Sequence, residues 1–180
     1  MGGIVSNGHS CRIINCEQYG NVSNLSSQSG ALAGGIVGRP SYNVTGENVA
    51  CIIENCCVTG NVTGGITAGG IIGGATSGTS RVLNCCFAGT VSGGTYSAVI
   101  GAGAYSNDFY VSDVDKLISS NSSATTATGV TRVTVMTSTQ TGLLNAPATN
   151  IASEMLGTSN YSSYRTWTLD SSNKPKLVRD

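Results

Sequence analysis

Charge is scarce in this sequence: nine basic and nine acidic residues stand among 180, for a formal net charge of zero. Binding to a nucleic-acid backbone needs Lys and Arg to displace phosphate counterions, and nine scattered cations exclude a sequence-independent binder. The same scarcity excludes a polybasic membrane-binding surface. No run of about 18 apolar residues occurs, so no membrane-spanning helix is expected. Three prolines exclude collagen-like and mucin-like chains. What is abundant is Gly, Ser, Thr and Asn, together 84 residues. Disorder goes with high net charge and low hydrophobicity, whereas here 39% of residues are hydrophobic and the charges balance. Length sets one domain, or one with an appendage.

An internal repeat organises the chain. One element recurs as Gly2-Gly3-Ile4-Val5-Ser6, Gly34-Gly35-Ile36-Val37-Gly38 and Gly69-Gly70-Ile71-Ile72-Gly73, with a worn copy at Ser97-Ala98-Val99-Ile100-Gly101. A second element follows each intact copy: Ile13-Ile14-Asn15-Cys16 with Gly20-Asn21-Val22, Ile53-Glu54-Asn55-Cys56 with Gly60-Asn61-Val62, and Leu83-Asn84-Cys85 with Gly89-Thr90-Val91. The offset from Asn to Gly is five each time, while starts of the first element are spaced 32, 35 and 28 residues apart. Constant spacing inside elements and variable spacing between them predict strands joined by tolerant loops, the longest being Arg39 to Ala50. Short, β-branched, glycine-bounded elements read as strands. A four-residue strand buries nothing alone, so stacked rungs are expected.

The seven cysteines fall into columns of this repeat. Cys16, Cys56 and Cys85 share one position, Cys57 and Cys86 the next, and Cys11 and Cys51 lie five residues before the first column, where the third copy has Ser80. Three readings stand: a ladder of buried thiols behaving as small hydrophobes, a disulfide between adjacent rungs, which the spacing of neighbouring strands allows, or a metal site. Asn15, Asn55 and Asn84 form a parallel column, expected to pair amides along a corner.

These residues resemble the GLUG repeat family, which alternates a Gly-Gly-Ile-Val-Gly strand with an Asn-Cys-x-x-x-Gly-x-Val strand; the likeness covers Gly2 to about Gly101. The family occurs in large bacterial surface proteins, including adhesin-like ones, and beside the protease module of IgA-specific metallopeptidases. The resemblance implies a β-solenoid on an exported, surface-displayed protein and no chemistry of its own. The peptidase's zinc site needs two histidines, and this chain has one.

After Gly101 the pattern changes. Asn107-Asp108-Phe109-Tyr110 reads as a degenerate last rung, Ser119 to Thr128 as a loop, and Val130 to Val135 as a strand. Thr137 to Leu144 and Thr149 to Leu156 read as short helices, the second with Gly157 as its C-cap. The tail from Trp167-Thr168-Leu169-Asp170 to Lys174-Pro175-Lys176-Leu177 reads as a cap over the last rung, with Trp167 in a core. The chain opens directly on a repeat element without a signal peptide, as expected of the C-terminal piece of a longer exported protein. Its first rung would then be an open edge prone to edge-to-edge self-association.

Chemistry has few candidates. His9 reads as a solvated loop residue. Asp108, Asp113 and Asp115 could place oxygens around calcium, though no loop glycine or bidentate glutamate accompanies them; a solvated turn is the other reading. The glycines recur in every copy with no helix behind them, so a phosphate cradle fails. Thr63, Thr67, Thr76, Thr79 and Thr90 are candidates for a carbohydrate-binding or ice-binding face without forming a regular column, and the sequons at Asn21, Asn43 and Asn61 carry no weight in so Asn-rich a chain. The expectation is an all-β protein: a parallel β-helix-like solenoid of three to four rungs over 1–104, then a degenerate rung, short helices and an α/β cap over 105–180. No catalytic, cofactor or metal residues are expected. Tyr42 and Asn43 are the candidate ligand-contact loop, with a host glycan or matrix protein as partner and neither nucleic acid nor a membrane span. The expected role is a stalk or adhesive module at a bacterial surface. The alternative is an accessory, substrate-positioning domain of a secreted hydrolase or peptidase.

Overall fold

The computed structural model describes residues 1–9, 11–28, 30–41, 49–74, 79–93, 96–98, 104–106, 108–110, 130–132, 137–145 and 167–178. Strands dominate. The first copy contributes β1 (Val5–His9), β2 (Cys11–Ile14), β3 (Glu17–Gln18), β4 (Val22–Asn24) and β5 (Leu32–Gly34). The second contributes β6 (Val37–Ser41), β7 (Val49–Glu54), β8 (Cys57–Val58), β9 (Val62–Gly64) and β10 (Thr67–Gly69). The third contributes β11 (Thr79–Leu83), β12 (Cys86–Phe87), β13 (Val91–Ser92) and β14 (Tyr96–Ala98). Then come β15 (Ala104–Ser106), β16 (Asp108–Tyr110), β17 (Val130–Arg132), helix α1 (Ser138–Leu144), β18 (Trp167–Leu169) and β19 (Pro175–Leu177).

Each parallel sheet collects equivalent strands from successive copies. The orders are β2-β7-β11-β15, β3-β8-β12-β16-β17, β4-β9-β13, β5-β10-β14 and β1-β6. The register matches like with like: Ile13 faces Ile53 and Ile53 faces Val82, while Val22 faces Val62 and Val62 faces Val91. Those columns, with Ile36, Ile71, Val58, Phe87 and Cys56, make one buried core.

The repeat elements divide more finely than their sequence suggests. The Gly-Gly-Ile-Val runs are not single strands but corners: Leu32–Gly34 ends one strand, Gly35 and Ile36 bend, and Val37 opens the next. A side chain on Gly35 would strike the carbonyl oxygen of Gly70 in the next copy, so glycine is required where the two backbones pass. Asn15, Asn55 and Asn84 hold left-handed φ values of 54°, 52° and 51°. Asparagine tolerates that region better than other side chains, and this is why each Asn ends the strand before it. Arg39 to Ala50 is likewise not all loop. Arg39 and Ser41 extend β6 against Asn7 and His9 of β1, and Ala50 belongs to β7. His9 therefore lies in a strand, at Ser41's register partner, because pairing with β6 carries β1 past Gly8.

Past residue 104 the same sheets continue, β15 adding to β11, β16 to β12 and β17 to β16. The helix at 138–144 and the strand at 130–132 match the sequence expectation; residues 149–157 lie outside the described residues. The tail departs from expectation. β18 and β19 form an antiparallel hairpin, and Leu144, Trp167 and Leu177 pack on Cys57 and Cys86. The Trp167 indole Nε1–H donates to Asn15 Oδ1 at 2.7 Å, and the Leu177 N–H donates to Glu17 Oε2 at 3.4 Å. Asn15 and Glu17 belong to the first copy, so the hairpin covers a side face reaching back to the start of the stack. The physical reason is alternation: β8 buries Val58 inward and turns Cys57 outward, leaving an apolar column that needs a cover.

Candidate functional site

Several columns of the described residues carry polar or sulfur chemistry. Cys11 and Cys51 are register partners on β2 and β7, and they are joined by a disulfide across a Cα–Cα distance of 4.7 Å. That distance is the ordinary spacing of adjacent strands, about 4.7–4.9 Å, which lies in the range a disulfide accepts. Gly8 lies over the bridge: a Cβ there would come within 2.7 Å of both sulfurs. Ser80, fully buried, holds the matching place in the third copy, beside the bulge between Thr79 and Arg81. Two of the three sequence readings thus hold together, since Cys16, Cys56, Cys57, Cys85 and Cys86 remain thiols.

The second column is Cys16, Cys56 and Cys85. Each sits one residue past a left-handed Asn, which turns its thiol inward. The thiols donate to the carbonyl oxygens of Ile14 (3.3 Å), Glu54 (3.1 Å) and Leu83 (3.3 Å). The Cys16 and Cys56 N–H groups donate to the sulfur one copy further on, both at 3.4 Å. Hydrogen bonding with Cys56, and then burial, pushes the Cys16 thiol far above the ordinary range. Burial does the same to Cys56, and to Cys57 together with the hydrogen bond its thiol donates to Cys86. Nucleophiles and metal ligands are thiolates, and while the cover is closed these protonated thiols pack as small apolar groups. Thiols kept protonated by the fold but ionised in the unfolded chain stabilise fully below the ordinary thiol pKa of about 8.5 and lose that contribution as pH rises above it. Thermal melts are therefore expected to hold level between about pH 6 and 8 and to fall by pH 10. The fall should be smaller in Cys56→Ala measured against its own neutral-pH value; an equal fall in both proteins would show that the thiols are not its cause.

The third column lies on the outside. The Asn61 N–H donates to Asn21 Oδ1 at 3.1 Å, and Asn61 Oδ1 accepts from the Thr90 N–H at 3.1 Å and the Thr90 hydroxyl at 2.8 Å. Beside it Ser23, Thr63 and Ser92 stand in register, with the Thr63 and Ser92 hydroxyls 3.1 Å apart. At the end of β4 a hollow of about 250 Å³ opens between Ser6, Asn7, Asn24, Gly30, Leu32 and Arg39. The Arg39 guanidinium Nη2 donates to the Gly30 carbonyl at 2.7 Å, which fixes the rim. The corner asparagines form a separate, buried ladder in which Asn84 Nδ2 donates to Asn55 Oδ1 at 3.3 Å, as expected for that column.

Of the residues singled out from sequence, Thr63 and Thr90 join the outer column, Thr67 lies in β10 between Leu32 and Tyr96, and Thr79 lies in β11. Tyr42, Asn43, Thr76, Asp113 and Asp115 lie outside the described residues, while Asp108 lies in β16. Among the described residues no group of three His, Cys, Asp or Glu side chains is placed to hold a metal ion, and no helix is long and apolar enough to cross a membrane. The sequence reading missed Ser23 and Ser92. Their signal was present as the residue after each Gly-x-Val valine, always Ser or Thr. No protein-family model matches the chain, and neither does any curated protein or solved structure.

Proposed function

We propose that this chain is a β-solenoid of the GLUG-repeat type, acting without catalysis as a stalk or adhesive module of a bacterial cell-surface protein. The observation that carries the reading is the in-register stacking of equivalent residues, which builds a rod whose outer face is a row of amides and hydroxyls. The Asn21–Asn61–Thr90 and Ser23–Thr63–Ser92 columns repeat donors and acceptors without charge, a chemistry suited to the hydroxyls of a carbohydrate. Tyr42 and Asn43 remain the proposed contacts from the segment between β6 and β7. A glycan and extracellular-matrix array probed with the chain, and with an Asn61→Ala/Thr63→Ala variant, tests this reading. Binding that drops at least tenfold in the variant supports an adhesive face. A blank array for the chain removes adhesion and leaves the stalk role, and binding unchanged in the variant moves the contact to Tyr42 and Asn43.

A further inference from the structure

Cys57 and Cys86 are register partners on β8 and β12, adjacent parallel strands. This is the relation that Cys11 and Cys51 hold on β2 and β7, where a disulfide spans 4.7 Å between Cα atoms. Both Cys57 and Cys86 are fully buried, and the neighbouring Cys86 thiol adds to burial in pushing the Cys57 thiol up. They differ from the Cys16–Cys56–Cys85 column in what surrounds them. Those thiols are held by backbone carbonyls at the corner. Cys57 and Cys86 instead face outward, and their neighbours in the apolar cluster are Leu144, Trp167 and Leu177 with Ala88 and Leu169 at its rim. Side-chain hydrogen bonds clamp the cover. The Asn145 side chain brackets the Trp167 backbone with hydrogen bonds of 3.0 and 2.6 Å, and Asn15 and Glu17 hold the hairpin to the first copy.

We propose that Cys57 and Cys86 are a second cross-strand disulfide site, whose oxidation is gated by lifting of the β18–β19 hairpin. The oxidant is a low-molecular-weight disulfide. With the hairpin raised, one of the two thiols loses its proton to water and attacks a sulfur of that disulfide, forming a mixed disulfide and expelling one small thiolate. The second protein thiolate then attacks the protein-side sulfur, closing the Cys57–Cys86 bond and expelling the other small thiolate. Two protein thiols are oxidised, one small disulfide is reduced to two thiols, and the two protons pass to the leaving thiolates. Closing the bond ties the second copy to the third, as Cys11–Cys51 ties the first to the second. The hairpin then closes over an uncharged disulfide in place of two thiols.

The experiment exposes the full folded chain to oxidised glutathione, blocks remaining thiols with iodoacetamide after denaturation, and maps peptides by mass spectrometry over time. The expected product is a Cys57–Cys86 cross-link, with Cys16, Cys56 and Cys85 recovered as alkylated thiols. Trp167→Ala, which strips the cover, is expected to form the cross-link at least tenfold faster. Asn145→Ala, which loosens the clamp and leaves the indole in place, is expected to accelerate it in the same direction and carries the test if Trp167→Ala does not fold. Glutathione adducts at Cys57 or Cys86 that never resolve to the internal bond would overturn the site. Rates unchanged in a folded variant would overturn the gate, and cross-links among Cys16, Cys56 and Cys85 would overturn the choice of pair.

Discussion

Phe87→Ala is expected to lower the unfolding free energy by about 3–5 kcal/mol, the usual cost of truncating a buried phenylalanine. Phe87 is the largest of the fully buried side chains among the described residues. It stands in the column that runs from Gln18 through Val58 to Tyr110, facing the interior from β12. Its neighbours are strands of two and three residues, held by pairing on both sides, so they cannot slide inward to fill the hole without breaking register. A domain of ordinary stability has about 5–15 kcal/mol to lose, and the variant would be marginal. Phe87→Leu, which keeps most of the volume, should lose about 1.5 kcal/mol or less. Urea unfolding followed by the fluorescence of Trp167, the chain's only tryptophan, reads both values. A loss below about 1 kcal/mol for Phe87→Ala would place the ring at the surface rather than between stacked strands.

Removing the Cys11–Cys51 bridge is expected to cost about as much. The bond closes a loop with a sequence separation of 40, and the chain-entropy relation assigns such a loop about 4 kcal/mol at 25 °C. At roughly 2–4 °C per kcal/mol for a chain of this length, the melting temperature should fall by about 8–16 °C. The loss should appear in Cys11→Ala/Cys51→Ala and, to a similar extent, in the unmutated protein melted with a strong reductant. The two routes separate geometry from entropy. The double alanine variant also removes the sulfurs beneath Gly8, whereas reduction leaves them in place. A melting temperature insensitive to reductant would mean that the bridge does not form in solution.

Much of the fold could be read from the residues because the repeat states its own register. Asn15, Asn55 and Asn84 recur at constant distance from Gly20, Gly60 and Gly89, and equal offsets can be satisfied together only if the copies lie side by side. The columns of Cys, Asn and Val follow from that argument alone. The corners were harder to place. Gly-Gly-Ile-Val reads as a β-branched strand until the carbonyl of Gly70 is seen to pass over Gly35, a contact between residues 35 positions apart that no local pattern announces. The tail misleads for a related reason. Trp167 is correctly expected in a core, but which face it covers depends on Cys57 and Cys86 turning outward at β8 and β12, and two neighbouring cysteines carry no sign of which one points inward. The outer column was within reach of the sequence. The residue after Val22, Val62 and Val91 is Ser, Thr and Ser, and strand alternation sends it to solvent whenever the valine is buried.

In-register stacking of the copies is the claim on which the rest depends, and a cross-linking pair on the outer face tests it most directly. Thr63→Cys with Ser92→Cys places thiols on register partners whose hydroxyls lie 3.1 Å apart. Ser23→Cys with Ser92→Cys places them two strands apart, roughly 9–10 Å, beyond the reach of a disulfide. Mild oxidation of the folded chain should close the first pair nearly completely and leave the second open. An open first pair, or equal closure of both, would contradict the stacking.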